Sequence, residues 1–316
     1  MRIGYFLSCE EFGPHELVEQ ARLAEQAGID RLWISDHYHP WNDEQGQSPF
    51  VWSVIGALAA AVPGMHVTTS VTCPTVRVHP AVIAQAAATS AVLLDGRFTL
   101  GVGSGEALNE HILGDGWPEA EVRLEMLEEA IEVIRGLWEG HQYSHYGEHY
   151  AVVNARIYTL PDAPPDIVVS GFGPKSVDLA ARVGDGYVCT MPAKQLVDRF
   201  RRKGGEGKLV QAGTKVCWGP DARECVRTAH RLWPNDALEG ELSQILPTPA
   251  HFEQACALVT EDMVAQAVPC GQDTGRIVAH CRRYADAGFD ELYVQQIGDR
   301  HAEFFDVLRR EIVPAL

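Results

Sequence analysis

Gly101-Val102-Gly103-Ser104-Gly105-Glu106 decides between the two folds that the pattern of this chain allows. A dinucleotide-binding turn in a doubly wound sheet needs G-x-G-x-x-G where the first strand meets its helix. Here Glu106 stands where the last glycine should be, and the turn follows the fourth strand-like run instead of the first. The reading that remains is an α/β fold closed into a (β/α)8 TIM barrel, its repeats crossing over right-handed onto a parallel sheet.

Working outward from that turn, the alternation of strand and helix is regular. Before it, strands are expected at 2–8, 31–35, 65–71 and 98–102, separated by helices over 14–26, 53–61 and 80–94. After it, Val122, Met126, Ala130, Val133 and Leu137 share one face of a helix over 118–138. Strands at 167–170, 186–190, 214–218 and 291–296 then alternate with helices over 174–183, 196–203, 222–233 and 274–287, and a last helix covers 301–313. Residues 140–165 read as a hairpin-like excursion, and 234–272, with Pro234, Pro247, Pro249 and Pro269, as an insertion holding one or two short helices. A chain of 316 residues suits one such barrel domain over 1–316, since the fold takes about 250 residues plus insertions.

Composition narrows the function. Hydrophobic residues make up 46% and charged residues 22%, the balance of a globular protein with a large core. Lys and Arg number 26 against 43 Asp and Glu, so a net charge of −17 argues against a nucleic-acid partner. Eight cysteines include no C-x-x-C pair and several lie in apolar runs such as Tyr187-Val188-Cys189, the pattern of buried thiols in a reducing cytoplasm. The first residues read as a strand, with no signal peptide or long apolar span, so a cytoplasmic protein without a membrane partner is expected.

In a barrel, the strand ends converge on one mouth where chemistry is done. The densest of these ends is Ser35-Asp36-His37-Tyr38-His39-Pro40-Trp41; Glu10 and Glu11 follow the first strand, Ser70 to Cys73 the third and Gly103 to Asn109 the fourth. The glycines of Gly103-Ser104-Gly105 would let a planar ring lie against backbone, with Glu106 pointing into the mouth for acid–base work. After the fifth strand, Ser170-Gly171-Phe172-Gly173-Pro174 offers close backbone approach and a helix start whose free amides attract a phosphate. No metal is expected: His37-x-His39 lacks the helical i, i+4 spacing, and His141, His145 and His149 are interrupted by Gly147. No G-x-S-x-G elbow supports acyl transfer. The basic run Arg199 to Lys203 reads as a solvated helix face.

With these residues assembled, the chain resembles the luciferase-like flavin and deazaflavin superfamily, and within it the coenzyme F420-dependent oxidoreductases typified by the F420-dependent glucose-6-phosphate dehydrogenases. The resemblance rests on Glu10-Glu11-Phe12, Ser35-Asp36-His37 with Pro40-Trp41, Ser70-Val71 with Pro74-Thr75, His79 to Gln85, Gly101 to Glu110, Gly184-Asp185-Gly186 and Thr190. It implies a luciferase-like barrel with coenzyme F420 in the mouth and hydride transfer between its C5 and a small organic substrate. It further implies that Asp36 and Asn109 contact the cofactor, that Ser70-Val71 is a non-prolyl cis peptide under the ring with Cys73 and Gly103-Ser104-Gly105 beside it, and that 170–173 holds the cofactor phosphate. His37 would exchange the substrate hydroxyl proton, Glu106 the proton at the ring, Trp41 would orient the reacting centre, and Glu10 is a second carboxylate there. A homodimer is expected on the same ground. The alternatives are an FMN-dependent luciferase-like monooxygenase or reductase, and a non-catalytic cofactor-binding protein.

One departure bears on substrate. Thr190 is kept and Lys194 stands one position displaced, but Leu232 to Gly275 contains no Lys or Arg. A sugar phosphate there would lack charge-assisted hydrogen bonds of about 1.5–3 kcal/mol each. A less charged alcohol, carbonyl, imine or alkene is expected in place of glucose 6-phosphate.

Overall fold

A computed structural model describes residues 1–316. Strand β1 (Arg2–Leu7) runs into α1 (Pro14–Gln26), β2 (Arg31–Ile34) into α2 (Val51–Ala61), and β3 (His66–Thr69) into α3 (Pro80–Leu93). Strand β4 (Phe98–Val102) is followed by the single-turn α4 (Ala107–Glu110) and the long α5 (Ala120–Trp138). An antiparallel pair, β5 (Tyr143–Tyr146) and β6 (Ala151–Ala155), stands apart from the main sheet. Then come β7 (Asp166–Ser170), α6 (Pro174–Val183), β8 (Gly186–Cys189), α7 (Lys194–Phe200), β9 (Leu209–Val216) and α8 (Ala222–Leu232). Short helices α9 (Leu242–Ile245), α10 (Pro249–Cys256) and α11 (Glu261–Ala267) precede α12 (Thr274–Ala287), β10 (Glu291–Gln296) and α13 (His301–Val307). The eight strands other than β5 and β6 close a parallel barrel in the order β1-β10-β9-β8-β7-β4-β3-β2.

The α/β barrel read from the alternation is therefore the fold. Its strands are covered by helices outside and filled by side chains inside, and β2, β4, β8 and β10 are buried at every position. Outside, Leu17, Ala21 and Ala24 of α1 pack toward the strands, and Pro14 starts that helix at a position needing no amide donor. Inside, Phe6, Trp33, Val168, Val188 and Tyr293 form a separate cluster, with Trp33 stacked on Tyr293 at 4.6 Å. Gly213 is required there, because a Cβ at that position would come 2.5 Å from the Trp33 ring. Below this stack, Glu291 accepts from Arg2, Arg31, Gln211 and Tyr293, plugging the amino-terminal end of the barrel.

One strand starts earlier than its sequence suggests: β9 begins at Leu209, not Thr214. Gln211 hides the start, since it is buried inside the barrel, where it donates to Glu291 at 2.7 Å and accepts from Trp33 at 3.3 Å. A polar residue satisfied within the core breaks the apolar run that marks a strand. The helix expected over 196–203 runs from Lys194 to Phe200 and gives way to a wider turn around Gly204, whose φ is 117°. No helix is long and apolar enough to cross a membrane.

Candidate active site

The cluster after β2 lies at the carboxy-terminal mouth and is tied to three other strand ends. Glu10, buried just after β1, accepts from the Ser8 and Ser35 hydroxyls at 2.8 and 2.6 Å through Oε2. Its Oε1 lies 3.3 Å from His37 Nε2. Burial pushes the Glu10 pKa up, but the charge of His37 and the hydroxyl bonds outweigh it and leave the group below its ordinary value. Glu10 is thus a carboxylate aimed at an imidazole.

Asn109, on the single turn α4, meets the same imidazole from the other side. Its Oδ1 accepts from the main-chain N–H groups of Tyr38 and His39 at 2.9 and 3.2 Å, while Nδ2 faces His37 Nδ1 at 3.2 Å and Glu106 Oε2 at 3.4 Å. Glu106 is the residue preceding that turn. Trp41 stands over His37 with ring centroids 5.0 Å apart and meets Phe252 of α10 edge-on, also at 5.0 Å. His37, Glu10, Glu106, Asn109 and Trp41 are therefore brought together.

Asp36 is arranged differently. Both of its oxygens are taken inside the protein, Oδ2 by the Thr72 hydroxyl at 2.8 Å and Oδ1 by Arg77 Nη2 at 2.9 Å. The Arg77 main-chain N–H also donates to Glu110 at 2.7 Å. Arg77 was missed in the sequence, although a buried carboxylate demands a cation and only Arg77 and Arg97 lie between residues 36 and 110.

The peptide Ser70–Val71 is cis. Val71 rests on Gly103, where a Cβ would come 2.7 Å from its Cγ2. Gly105, at φ 81°, packs on Cys73, so a side chain there would be both strained and blocked. Ser104 lies half-buried between these two glycines. Across the mouth, Ser170 ends β7, Gly171 packs on Ser176, Phe172 is 45% exposed, and Gly173 starts α6 with nothing within 4 Å of where a Cβ would sit. Thr190 and Lys194 are exposed beyond β8, and Lys194 is paired with Asp198 at 3.1 Å. These two are not gathered with His37.

Two further residues stand at the mouth: Glu11, which the sequence placed after the first strand without a role, and Gln295, which it did not single out. Glu11 accepts from Trp233 Nε1 at 2.7 Å and from the Gly298 N–H at 2.6 Å, linking the segment after α8 to the end of β10. Burial pushes its pKa up to about 7. Gln295 of β10 is fully buried, and its Oε1 has no hydrogen-bond partner. Beside Trp41 and Phe252 opens a cavity of about 390 Å³, also lined by Pro234, Asn235 and Cys256, whose one guanidinium, Arg231, is paired with Glu44 at 2.9 Å.

Residues 1–291 match the family described as luciferase-like monooxygenase. The F420-dependent glucose-6-phosphate dehydrogenase of Amycolatopsis mediterranei is 34% identical over 329 residues, covering 100% of this chain and 98% of that one. Among solved structures, an F420-dependent secondary alcohol dehydrogenase in complex with an F420–acetone adduct superposes with a TM-score of 0.92 at 29% identity, over 99% of this chain and 98% of the other. The coenzyme F420-dependent tetrahydromethanopterin reductase of Methanopyrus kandleri shares the fold at a TM-score of 0.80 and 17% identity, over 99% of both chains. With a barrel of this order, a family match over residues 1–291 and relatives matched end to end, the chain belongs to the luciferase-like monooxygenase family, in company with its F420-dependent dehydrogenases.

Proposed function

We propose that this protein is an F420-dependent oxidoreductase that moves a hydride between the deazaflavin and a neutral secondary alcohol or its ketone, with glucose 6-phosphate a poor substrate. The observation that carries this is the pairing of a proton-exchanging dyad, Glu10 Oε1 and His37 Nε2 at 3.3 Å, with a mouth whose Lys194 and Arg231 are each already paired with a carboxylate. The relatives favour the same cofactor, and the alcohol dehydrogenase structure favours the same substrate class.

The residues present fit the cofactor. Gly173 leaves open space at the start of α6, Gly103 and Gly105 present backbone along one wall, and Gln295 Oε1 waits for a donor at the mouth. Ser170 to Gly173 would hold the phosphate through backbone amides, and Ser70, Val71, Cys73 and Ser104 would line the ring. When bound, F420 supplies the carbon that accepts or returns the hydride. The chain does the rest: the Glu10–His37 dyad holds the substrate oxygen and exchanges its proton, Trp41 limits where the substrate carbon can sit, and Glu106 exchanges the proton at the ring edge. The cavity beside Trp41 and Phe252 would take the substrate's apolar part.

A cytoplasmic location is supported by eight free, buried cysteines. We also propose a homodimer, because α2 and α3 lie against each other and carry no charged residue, while Phe50, Val82 and Leu93 remain exposed around them. A titration of the purified protein with oxidised F420 and, separately, FMN tests the cofactor. Saturable F420 binding followed by reduction on adding 2-propanol or cyclohexanol is expected; tight FMN binding with none for F420 would overturn the reading.

A further inference from the structure

Side chains alternate between the inside and the outside of a barrel strand, so the residue two past an inward one also faces inward, one layer nearer the mouth. Phe6, Trp33, Val168, Val188 and Tyr293 meet inside the barrel, and Gly213 faces Trp33 there. Two residues further along these strands come Ser8, Ser35, Ser170, Thr190, Gln295 and Lys215. Lys215 is the only charged member of that layer, and the pairing of β9 with β10 sets it beside Gln295.

The Lys215 ammonium is already occupied. Its Nζ donates to Asp236 Oδ1 at 2.9 Å and lies 4.1 Å from the centre of the Trp233 ring, and both members of the ion pair are partly exposed. The partners come from different parts of the fold: Lys215 from a barrel strand, Asp236 from the short helical turn Pro234–Ala237 of the insertion. Trp233 donates to Glu11, the neighbour of Glu10, and Asn235, the residue before Asp236, lines the cavity beside Trp41. Through these neighbours the pair is linked to both the Glu10–His37 dyad and the cavity.

We propose that Asp236 is a specificity-determining residue: by cancelling the charge of Lys215 it turns away alcohols that carry a carboxylate or a phosphate. This rests on the proposed alcohol oxidation at the same mouth. An anionic group that enters meets a lysine whose charge is already balanced, so it gives up hydration without gaining an ion pair. Taking the lysine for itself means displacing Asp236 and leaving that carboxylate without its cation. An uncharged alcohol bears neither loss, and the selection works by disfavouring the competitor. One carboxylate suffices on this side, because no Lys or Arg stands between Leu232 and Gly275 to offer a second charge.

The test compares 3-hydroxybutyrate with 4-methyl-2-pentanol, an uncharged secondary alcohol of the same shape, on the F420-loaded protein. Asp236→Asn keeps the shape and removes the charge, so the ratio of kcat/KM for the anion to that for the neutral alcohol should rise about ten-fold or more, the worth of a charge-assisted hydrogen bond. Asp236→Asn/Lys215→Met should return the ratio to the wild-type range. A smaller rise in Asp236→Asn overturns the proposal, and so does a rise that survives in the double variant, since the gain would then not come from Lys215. A saturation-transfer NMR titration with 3-hydroxybutyrate reads binding without turnover: its affinity should tighten about ten-fold or more in Asp236→Asn and fall back in the double variant. If the wild type oxidises neither alcohol, the functional reading fails and this titration alone decides, with equal affinities in wild type and Asp236→Asn refuting the role of Asp236.

Discussion

At the ends of β1 and β2 the polar side chains are committed: Glu10 has three partners, His37 is engaged at both nitrogens, and Asp36 is locked by Thr72 and Arg77. At the end of β8 the polar groups face water, with Thr190 exposed and Lys194 paired only to Asp198 on its own helix. In the proposed function the first region serves as a preorganised acid–base centre whose groups lose little freedom when a substrate arrives. The second holds nothing rigid enough to grip a charged headgroup. Under the proposed function, the difference teaches that chemistry and substrate choice are built at separate strand ends, so one can be kept while the other is rebuilt.

The sharpest way to break this contrast is to disarm the committed side. Glu10→Gln should lower kcat by about 10²–10⁴-fold, the usual worth of a positioned proton acceptor, while F420 binding in a fluorescence titration stays within a few-fold of wild type. Next in size, Arg77→Met leaves Asp36 and Glu110 buried without their cation, and breaking such a pair costs about 3–5 kcal/mol, which urea unfolding would read as a large fall in midpoint.

A smaller effect concerns pH. The folded-state pKa of Glu11, about 7, lies above its ordinary 4.5, so the folded chain holds a proton that the unfolded chain has released. That stabilisation is complete below about 4.5 and declines as pH rises through about 7. Glu10 has the opposite sign: its depressed pKa contributes stability above its ordinary value that is lost as acid protonates it. Melting temperature against pH should therefore fall less steeply between pH 5 and 7 in Glu11→Ala than in wild type. Smallest of all, Lys194→Ala should leave KM for 2-propanol within about two-fold, since an exposed ion pair is worth about 0–1 kcal/mol. A large rise in KM would place Lys194 in the substrate site and weaken the contrast.

Much of this was legible in the sequence for physical reasons. The alternation of buried strands and amphipathic helices announces a parallel barrel, and Glu106 in place of a third glycine removes the main competitor. Crowded polar residues after β2 marked the mouth, because imidazole and carboxylate so close together need each other's protons. What escaped were partners far apart in the chain. Trp233 meets Glu11 from 222 residues away, and Arg77 reaches Asp36 across 41. Gln211 and Gln295 point into the barrel where their strands look merely polar. Asn109 was read as a cofactor contact, but its grip on His37 depends on two main-chain amides whose direction no side-chain pattern encodes.

The most direct test of the account is a single turnover of the wild-type protein with oxidised F420 and 2-propanol carrying deuterium on its central carbon. The deuterium is expected on C5 of the reduced cofactor, with a primary isotope effect on the rate and little reduction when glucose 6-phosphate replaces the alcohol. Hydrogen from solvent at C5, or reduction by glucose 6-phosphate alone, would contradict it.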